Sequence, residues 1–282
     1  MYQSICYSRI QLSQSHLFWR EAGQGITIVF LHGQGQDGSQ WLSVVQELSE
    51  QYHCLIVDLP GCGESDQFPG HYSIQAMTEI LAEYLQALKV GRIYLVGHSV
   101  GAWIAANYAL KYLERVQGLV LISPEGVQVP GLQSQQQWMR SLVQSPSFSY
   151  FWLNLVQPFA SLLGQRKRVN RWLEYRRELF RSPGSCQLLY GRRWAEYQAE
   201  LLNDQLPHLS RPLMILQGSE VEAIPQAQSE IYSQLAPLTQ IHTVPLAGSN
   251  LPLEAPEATL EYIRDFTLGV SCSQVNSSYG SS

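Results

Sequence analysis

A serine flanked by glycines stands where a fold could mount a nucleophile. The stretch GHSVG (97–101) follows the apolar run IYLV and precedes a helical pattern. Glycines on both sides permit a tight strand-to-helix turn that lifts a serine hydroxyl clear of the backbone. The first N–H groups of the next helix point at the same place, where they could hold an oxyanion. The spacing therefore predicts a nucleophile position at Ser99.

Two glycine-rich turns accompany this serine. FLHGQGQD (30–37) ends an apolar run with His-Gly and enters a loop, so the backbone N–H of Gln34 is predicted to donate to an oxyanion together with that of Val100. DLPGCGESD (58–66) is a second such turn, in which Asp58 is expected to organise the loop rather than to take part in chemistry.

Short apolar runs predict the strands that position these turns. Near-continuous hydrophobicity is typical of strands buried on both faces, as in a parallel sheet. The runs are 26–33, 53–61, 92–99, 116–124, 212–218 and a weaker 241–248. Helical patterns lie between them, at 38–51, 73–89, 99–113 and 256–267. This alternation predicts a doubly wound α/β fold with a mostly parallel sheet, preceded by an antiparallel hairpin over 5–13 and 16–23.

One stretch breaks the alternation. Aromatic and Arg-rich helical patterns fill 125–206. They predict a helical cap inserted after the sixth strand, which is 116–124 when the two strands of the hairpin are counted. The core is predicted to comprise 1–124 and 207–268, and the small polar residues of 269–282 predict a disordered tail. An aromatic cap favours a small apolar or aromatic ligand, although the same aromatics could simply pack the cap onto the core.

Four motifs in order resemble the α/β-hydrolase superfamily, in its esterase, lipase and epoxide-hydrolase-like branch. They are HGQGQ, DLPGCGES, GHSVG and PLAGSNLPLEAPEATLEYIRDF, and the resemblance covers residues 16 to 267. It implies the α/β-hydrolase fold and a serine-dependent acyl-ester chemistry. One fold hosts many chemistries, so the motifs specify the fold better than the substrate.

The resemblance fails at two positions that such chemistry needs. The family places an acid after the seventh strand, and that position falls on Val221 in GSEVEAIP (218–225). The family places a histidine base where this chain has Asn250, in AGSNLPLEAPE (247–257). An asparagine amide forms hydrogen bonds but does not titrate usefully, so it cannot take a proton from Ser99.

Other residues could take the place of the missing acid or base. Three carboxylates could serve as the acid: Glu220 and Glu222 beside the usual position, and Glu125 after the sixth strand, where this fold can also host an acid. No histidine offers a convincing base: His98 and His32 belong to the two turns, and the others lie elsewhere. Those others are His16, His53, His71, His208 and His242.

We therefore expect a pseudo-hydrolase that binds a ligand or a protein partner, with weak or no esterase activity. The alternative is an active serine ester (acyl) hydrolase with a non-standard base and Glu220, Glu222 or Glu125 as its acid. A third possibility is non-hydrolytic chemistry in which Ser99 only binds the substrate. No metal and no cofactor is expected.

Composition limits the classes of binding partner and the cellular setting that can be expected. The net charge of −5 gives no basic field for nucleic acid. Five scattered cysteines without a CxxC pair indicate reduced thiols and a cytoplasmic setting, and no signal peptide or membrane span is visible. The segment 164–181 is Arg-rich, so it could contact an anionic membrane surface, although such a run is usually a solvated helix face.

Overall fold

The apolar runs form one eight-stranded sheet. The computed structural model describes residues 4–143 and 179–279, together with 151, 155, 173, 176 and 177; of 272–279 it describes the backbone alone. The strands are β1 (Cys6–Gln11), β2 (His16–Ala22), β3 (Ile26–Leu31), β4 (Tyr52–Val57), β5 (Ile93–His98), β6 (Val116–Ile122), β7 (Leu213–Gly218) and β8 (Thr239–Val244). Their order is β1-β2-β4-β3-β5-β6-β7-β8. β2 pairs antiparallel with β1 and with β4, and every other pair is parallel. The predicted mostly parallel α/β sheet is confirmed.

Helices cover both faces of this sheet. In chain order they are α1 (Leu42–Leu48), α2 (Ile74–Ala87), α3 (Val100–Lys111), α4 (Leu132–Val143), α5 (Pro183–Tyr190), α6 (Trp194–Ala199), α7 (Ala223–Leu235), α8 (Leu251–Glu254) and α9 (Pro256–Tyr279). Alternate residues of a strand face opposite sides, so Val29 and Leu31 join the core under α2 and α3, whereas Ile28 and Phe30 join the core under α1 and α9. Strands buried on both faces explain the continuous apolar runs.

Helices α4, α5 and α6 belong to the segment inserted between β6 and β7. This is the predicted position of the cap. Helix α5 packs closely on the core, because a Cβ on Gly184 would lie 2.0 Å from the carbonyl oxygen of Pro60. Most of the Arg-rich segment 164–181, with Trp152 and Trp172 of the aromatic cap, lies outside the described residues.

Two segments differ from the sequence expectations. Helix α7 has no counterpart among the predicted helices. At the C-terminus, α9 continues to Tyr279, past position 269 at which a disordered tail was expected. Burial of Val270 and the 3.2 Å contact between the Tyr94 hydroxyl of β5 and Ser271 Oγ hold the first part of this extension against the core. Within the described residues, no helix combines the length and apolar character that a membrane span requires.

Candidate active site

Ser99 occupies a strained turn between β5 and α3. Its backbone has φ 52° and ψ −118°, a conformation that is unfavourable for a residue with a side chain. The flanking glycines are sterically required: a Cβ on Gly97 would lie 2.6 Å from Ala102 Cα, and one on Gly101 would lie 2.5 Å from the carbonyl oxygens of Leu31 and His32. The predicted elbow is therefore present, with the serine side chain partly exposed.

The hydroxyl of Ser99 is paired directly with a carboxylate. Ser99 Oγ donates a hydrogen bond to Glu125 Oε1 at 2.5 Å. Glu125 follows β6, the strand that pairs with β5, so the two residues meet at the carboxyl ends of adjacent strands. Of the three carboxylates considered from the sequence, this is the one that the structure brings to the serine.

Glu125 lies deep in the protein, with part of its surface still open. Burial raises the pKa of its carboxyl above the ordinary value, and the hydrogen bond from Ser99 partly opposes that rise. The Tyr232 hydroxyl donates to the Glu125 backbone carbonyl at 2.8 Å. The next residue, Gly126, has φ 96°, and a Cβ there would lie 2.3 Å from the Trp103 ring. Packing thus fixes the backbone that carries the carboxylate.

Two backbone N–H groups, that of Val100 next to the serine and that of Gln34 in the loop after β3, have no acceptor among the described residues. The Gln34 side chain is anchored, since its Nε2 donates to the Tyr190 hydroxyl of α5 at 2.8 Å. These two N–H groups are the predicted oxyanion donors. Their availability is consistent with that role.

A network of amides surrounds the expected position of the base. Gln40 Nε2 donates to Asn250 Oδ1 at 2.7 Å and to His98 Nδ1 at 2.8 Å, and Gln40 Oε1 accepts from the Gly33 N–H at 3.0 Å. His98 Nε2 is 3.0 Å from the Ser249 carbonyl oxygen. Because Gln40 donates to Nδ1, the proton of neutral His98 is on Nε2 and is directed to Ser249. Both ring nitrogens are thus engaged away from Ser99.

The hydrogen bonds of both glycine-turn histidines go to groups other than Ser99. Burial lowers the pKa of His98 to about 4, partly opposed by the hydrogen bond to the Ser249 carbonyl. His32 Nδ1 is 2.9 Å from the Gly33 carbonyl oxygen, and its Nε2 accepts from the Leu59 N–H at 3.0 Å. These two contacts tie the His32 ring to the loops after β3 and β4.

The other candidates lie apart from the serine. Val221 is partly exposed between β7 and α7, and Glu220 and Glu222 are exposed. No hydrogen bond joins either glutamate to Ser99 in the described structure. Asp58 is buried and accepts from Arg20 Nη1 at 2.6 Å and from the Gly38 N–H at 2.7 Å, which organises the loop.

The remaining histidines have partners or positions of their own. His16 pairs with Asp66, His53 pairs with Glu21, the His242 ring packs on Tyr262, and His71 and His208 are exposed. Among the described residues, no imidazole nitrogen lies within hydrogen-bonding distance of Ser99 Oγ.

Sequence reasoning missed Gln40 and Tyr190. Each reaches the site from a helical segment with no motif of its own, and each meets a partner far along the chain: Gln40 and Asn250 are 210 residues apart, and Gln34 and Tyr190 are 156 apart. No local pattern could have identified them.

The elbow, the sheet order and the inserted cap define a member of the α/β-hydrolase fold family. The model of that family matches residues 26–256, more than half of the chain, and the chain belongs to it. A pimeloyl-[acyl-carrier protein] methyl ester esterase of Nitrosomonas europaea is 28% identical over 248 residues, covering 83% of this chain and 93% of that relative.

Two further comparisons give less information about activity. An uncharacterized protein of Mycobacterium tuberculosis is 33% identical over 109 residues, but the match spans only 39% of this chain and 32% of that relative's length. The solved structure of a thermophilic esterase from Thermogutta terrifontis aligns with a TM-score of 0.73 at 24% identity, covering 93% of this chain and 99% of that chain. That likeness shows the fold alone.

Proposed function

We propose that this protein is a ligand-binding member of the α/β-hydrolase family with weak esterase activity. The observation that supports the proposal best is the amide network at Asn250, which fills the base position with groups that do not titrate. The unclaimed N–H groups of Gln34 and Val100 suit the carbonyl oxygen of an ester or a related acyl compound. Partly buried Trp194 and buried Tyr190 in the cap favour an apolar or aromatic ligand.

The expected rate follows from the missing imidazole. Removing the histidine of a serine-hydrolase triad lowers kcat by about 10⁶-fold, and enzymes commonly reach a kcat/KM of about 10⁴–10⁸ M⁻¹ s⁻¹. We expect a kcat/KM below about 10² M⁻¹ s⁻¹ for p-nitrophenyl butyrate, without a burst. A value above about 10⁴ M⁻¹ s⁻¹ that is lost in Ser99→Ala would overturn the proposal.

Binding needs a probe that cannot turn over. A medium-chain methyl ketone has the carbonyl but no leaving group, so calorimetric titration with 2-nonanone measures occupancy alone. We expect saturable binding that survives Ser99→Ala and is lost in Ser99→Leu, whose larger side chain fills the crevice. Equal heats for the unaltered protein and Ser99→Leu would contradict a ligand site at Ser99.

A second candidate is an active ester hydrolase with a non-standard base. The contact between Ser99 Oγ and Glu125 Oε1 favours it, because a carboxylate already accepts the proton that such a reaction must remove. A fast, Ser99-dependent turnover in the same assay would select it. The name of the Nitrosomonas europaea relative suggests methyl esters as additional test substrates.

A further inference from the structure

We propose that Glu125 is itself the proton acceptor for Ser99, so that the esterase reaction runs on a serine–glutamate pair without an imidazole. This deepens the proposed function and rests on it, because it names the group that performs the slow step. The 2.5 Å distance between Ser99 Oγ and Glu125 Oε1 lies at the short end of the range for a hydroxyl that donates to a carboxylate. A base must lie within such reach of the proton that it removes.

The surroundings leave this role to Glu125 among the groups that the structure describes. The nearest imidazole, on His98, has both ring nitrogens engaged by Gln40 and Ser249. The amide of Asn250 does not titrate near neutral pH, so it cannot accept the proton of Ser99. Within the described part of the chain, Ser99 therefore has one titratable neighbour at hydrogen-bonding distance.

The carboxylate is held for this contact. The hydrogen bond from Tyr232 and the packing of Gly126 on Trp103 fix the backbone on either side of its side chain. Its hydrogen bond in the described structure comes from Ser99, and no ion pair joins it to a described lysine or arginine. A buried carboxylate without a cation keeps more of its basicity than one paired with arginine.

The chemistry balances with water as the co-reactant. Ser99 Oγ bonds to the carbonyl carbon while its proton moves to Glu125, and the carbonyl electron pair moves onto the oxygen facing the N–H groups of Gln34 and Val100. The tetrahedral intermediate then expels the alkoxide, which takes the proton from Glu125 and leaves as the alcohol. Water attacks the acyl-serine, gives a proton to Glu125, and that proton returns to Ser99 as the acid departs.

A carboxylate base predicts a distinctive pH dependence. Only the ionised form of Glu125 accepts a proton, so the rate rises with pH through the pKa of this group and then stays level. Since burial raises that pKa, the rise lies above the range of an exposed glutamate. Tyr197 and Tyr232 lie close enough to interact with the Glu125 carboxylate, but burial raises the pKa of both hydroxyls, so a single rise in rate is expected.

Fluorophosphonate labelling of Ser99 tests the pair, since labelling needs a deprotonated serine but no deacylation. Rates are measured from about pH 4 to pH 8 for the unaltered protein, Glu125→Gln, Glu125→Asp and the exposed control Glu50→Gln. Glutamine is isosteric and can still accept the Ser99 hydrogen bond, so the fold is expected to persist. We expect Glu125→Gln to be slower by about 10²-fold and independent of pH, Glu125→Asp to be intermediate, and Glu50→Gln to be unchanged.

Three results would be decisive. Labelling of Glu125→Gln within twofold of the unaltered protein overturns the role of Glu125. Absence of Ser99 labelling and of ester turnover in the unaltered protein overturns it as well. Fast turnover that disappears in Glu125→Gln supports the pair and instead removes the proposed weakness of the activity, so the two proposals fail separately.

Discussion

Replacing Asn250 by histidine is expected to create a conventional base in a site that already holds the other parts. The strained elbow, the free N–H groups of Gln34 and Val100, and a carboxylate beside the serine are all present. A general base contributes about 10²–10⁴-fold, so Asn250→His is expected to raise kcat/KM for p-nitrophenyl acetate by about 10²-fold or more. Adding Val221→Asp supplies an acid at the family's usual position and is expected to raise it further.

The substitution also has a structural cost. It removes the hydrogen bond from Gln40 Nε2 to Asn250 Oδ1, which is worth about 1 kcal/mol. For a domain of this size the melting temperature is expected to fall by about 2–4 °C.

The assay compares initial rates and fluorophosphonate labelling in Asn250→His, in the double variant with Val221→Asp, and in each combined with Ser99→Ala. A new rise in rate near pH 6.5 identifies the imidazole. Folded variants that hydrolyse the acetate ester and label no faster than the unaltered protein would refute the idea that an imidazole is the only part that the site lacks for fast turnover.

Three further predictions concern the scaffold of the site. Gln40→Leu leaves the buried Gly33 N–H and His98 Nδ1 without their partner, so a loss of about 2–4 kcal/mol is expected in urea unfolding, and a loss below 0.5 kcal/mol would contradict it. Gly184→Ala places a Cβ 2.0 Å from the Pro60 carbonyl oxygen and is expected to cost about 1–3 kcal/mol by the same assay, whereas exposed Gly91→Ala, whose Cβ would meet nothing within 4 Å, provides the comparison. His98 has a folded-state pKa of about 4, below the unfolded value of about 6.5. Its contribution to the free energy of unfolding is therefore complete above pH 6.5, and about 3 kcal/mol of it is lost as the pH falls to 4. An NMR titration in which the His98 ring protonates near pH 6.5 would contradict this.

The parts of the fold that depend on residues close together in the sequence were predictable. Near-continuous apolar runs identified the parallel strands, because burial on both faces leaves no room for polar alternation. The elbow at Ser99 was predictable from GHSVG, because the close backbone contacts at positions 97 and 101 leave room only for glycine. Helix α7 was missed; it buries only a narrow face, with Gln228, Ser229 and Tyr232 as its buried residues, so its apolar signal is weak.

The sequence by itself determined the fold, the position of Ser99 and the absence of a histidine at 250. It left three carboxylates as equal candidates, and only the tertiary structure selected Glu125. That choice depends on β5 and β6 being adjacent, which brings together side chains 26 residues apart. The hydrogen bond between Gln40 and Asn250 likewise depends on sheet order and helix packing. Polar contacts between distant segments leave no periodic signal in the chain, because their energy depends on a geometry that exists only after folding.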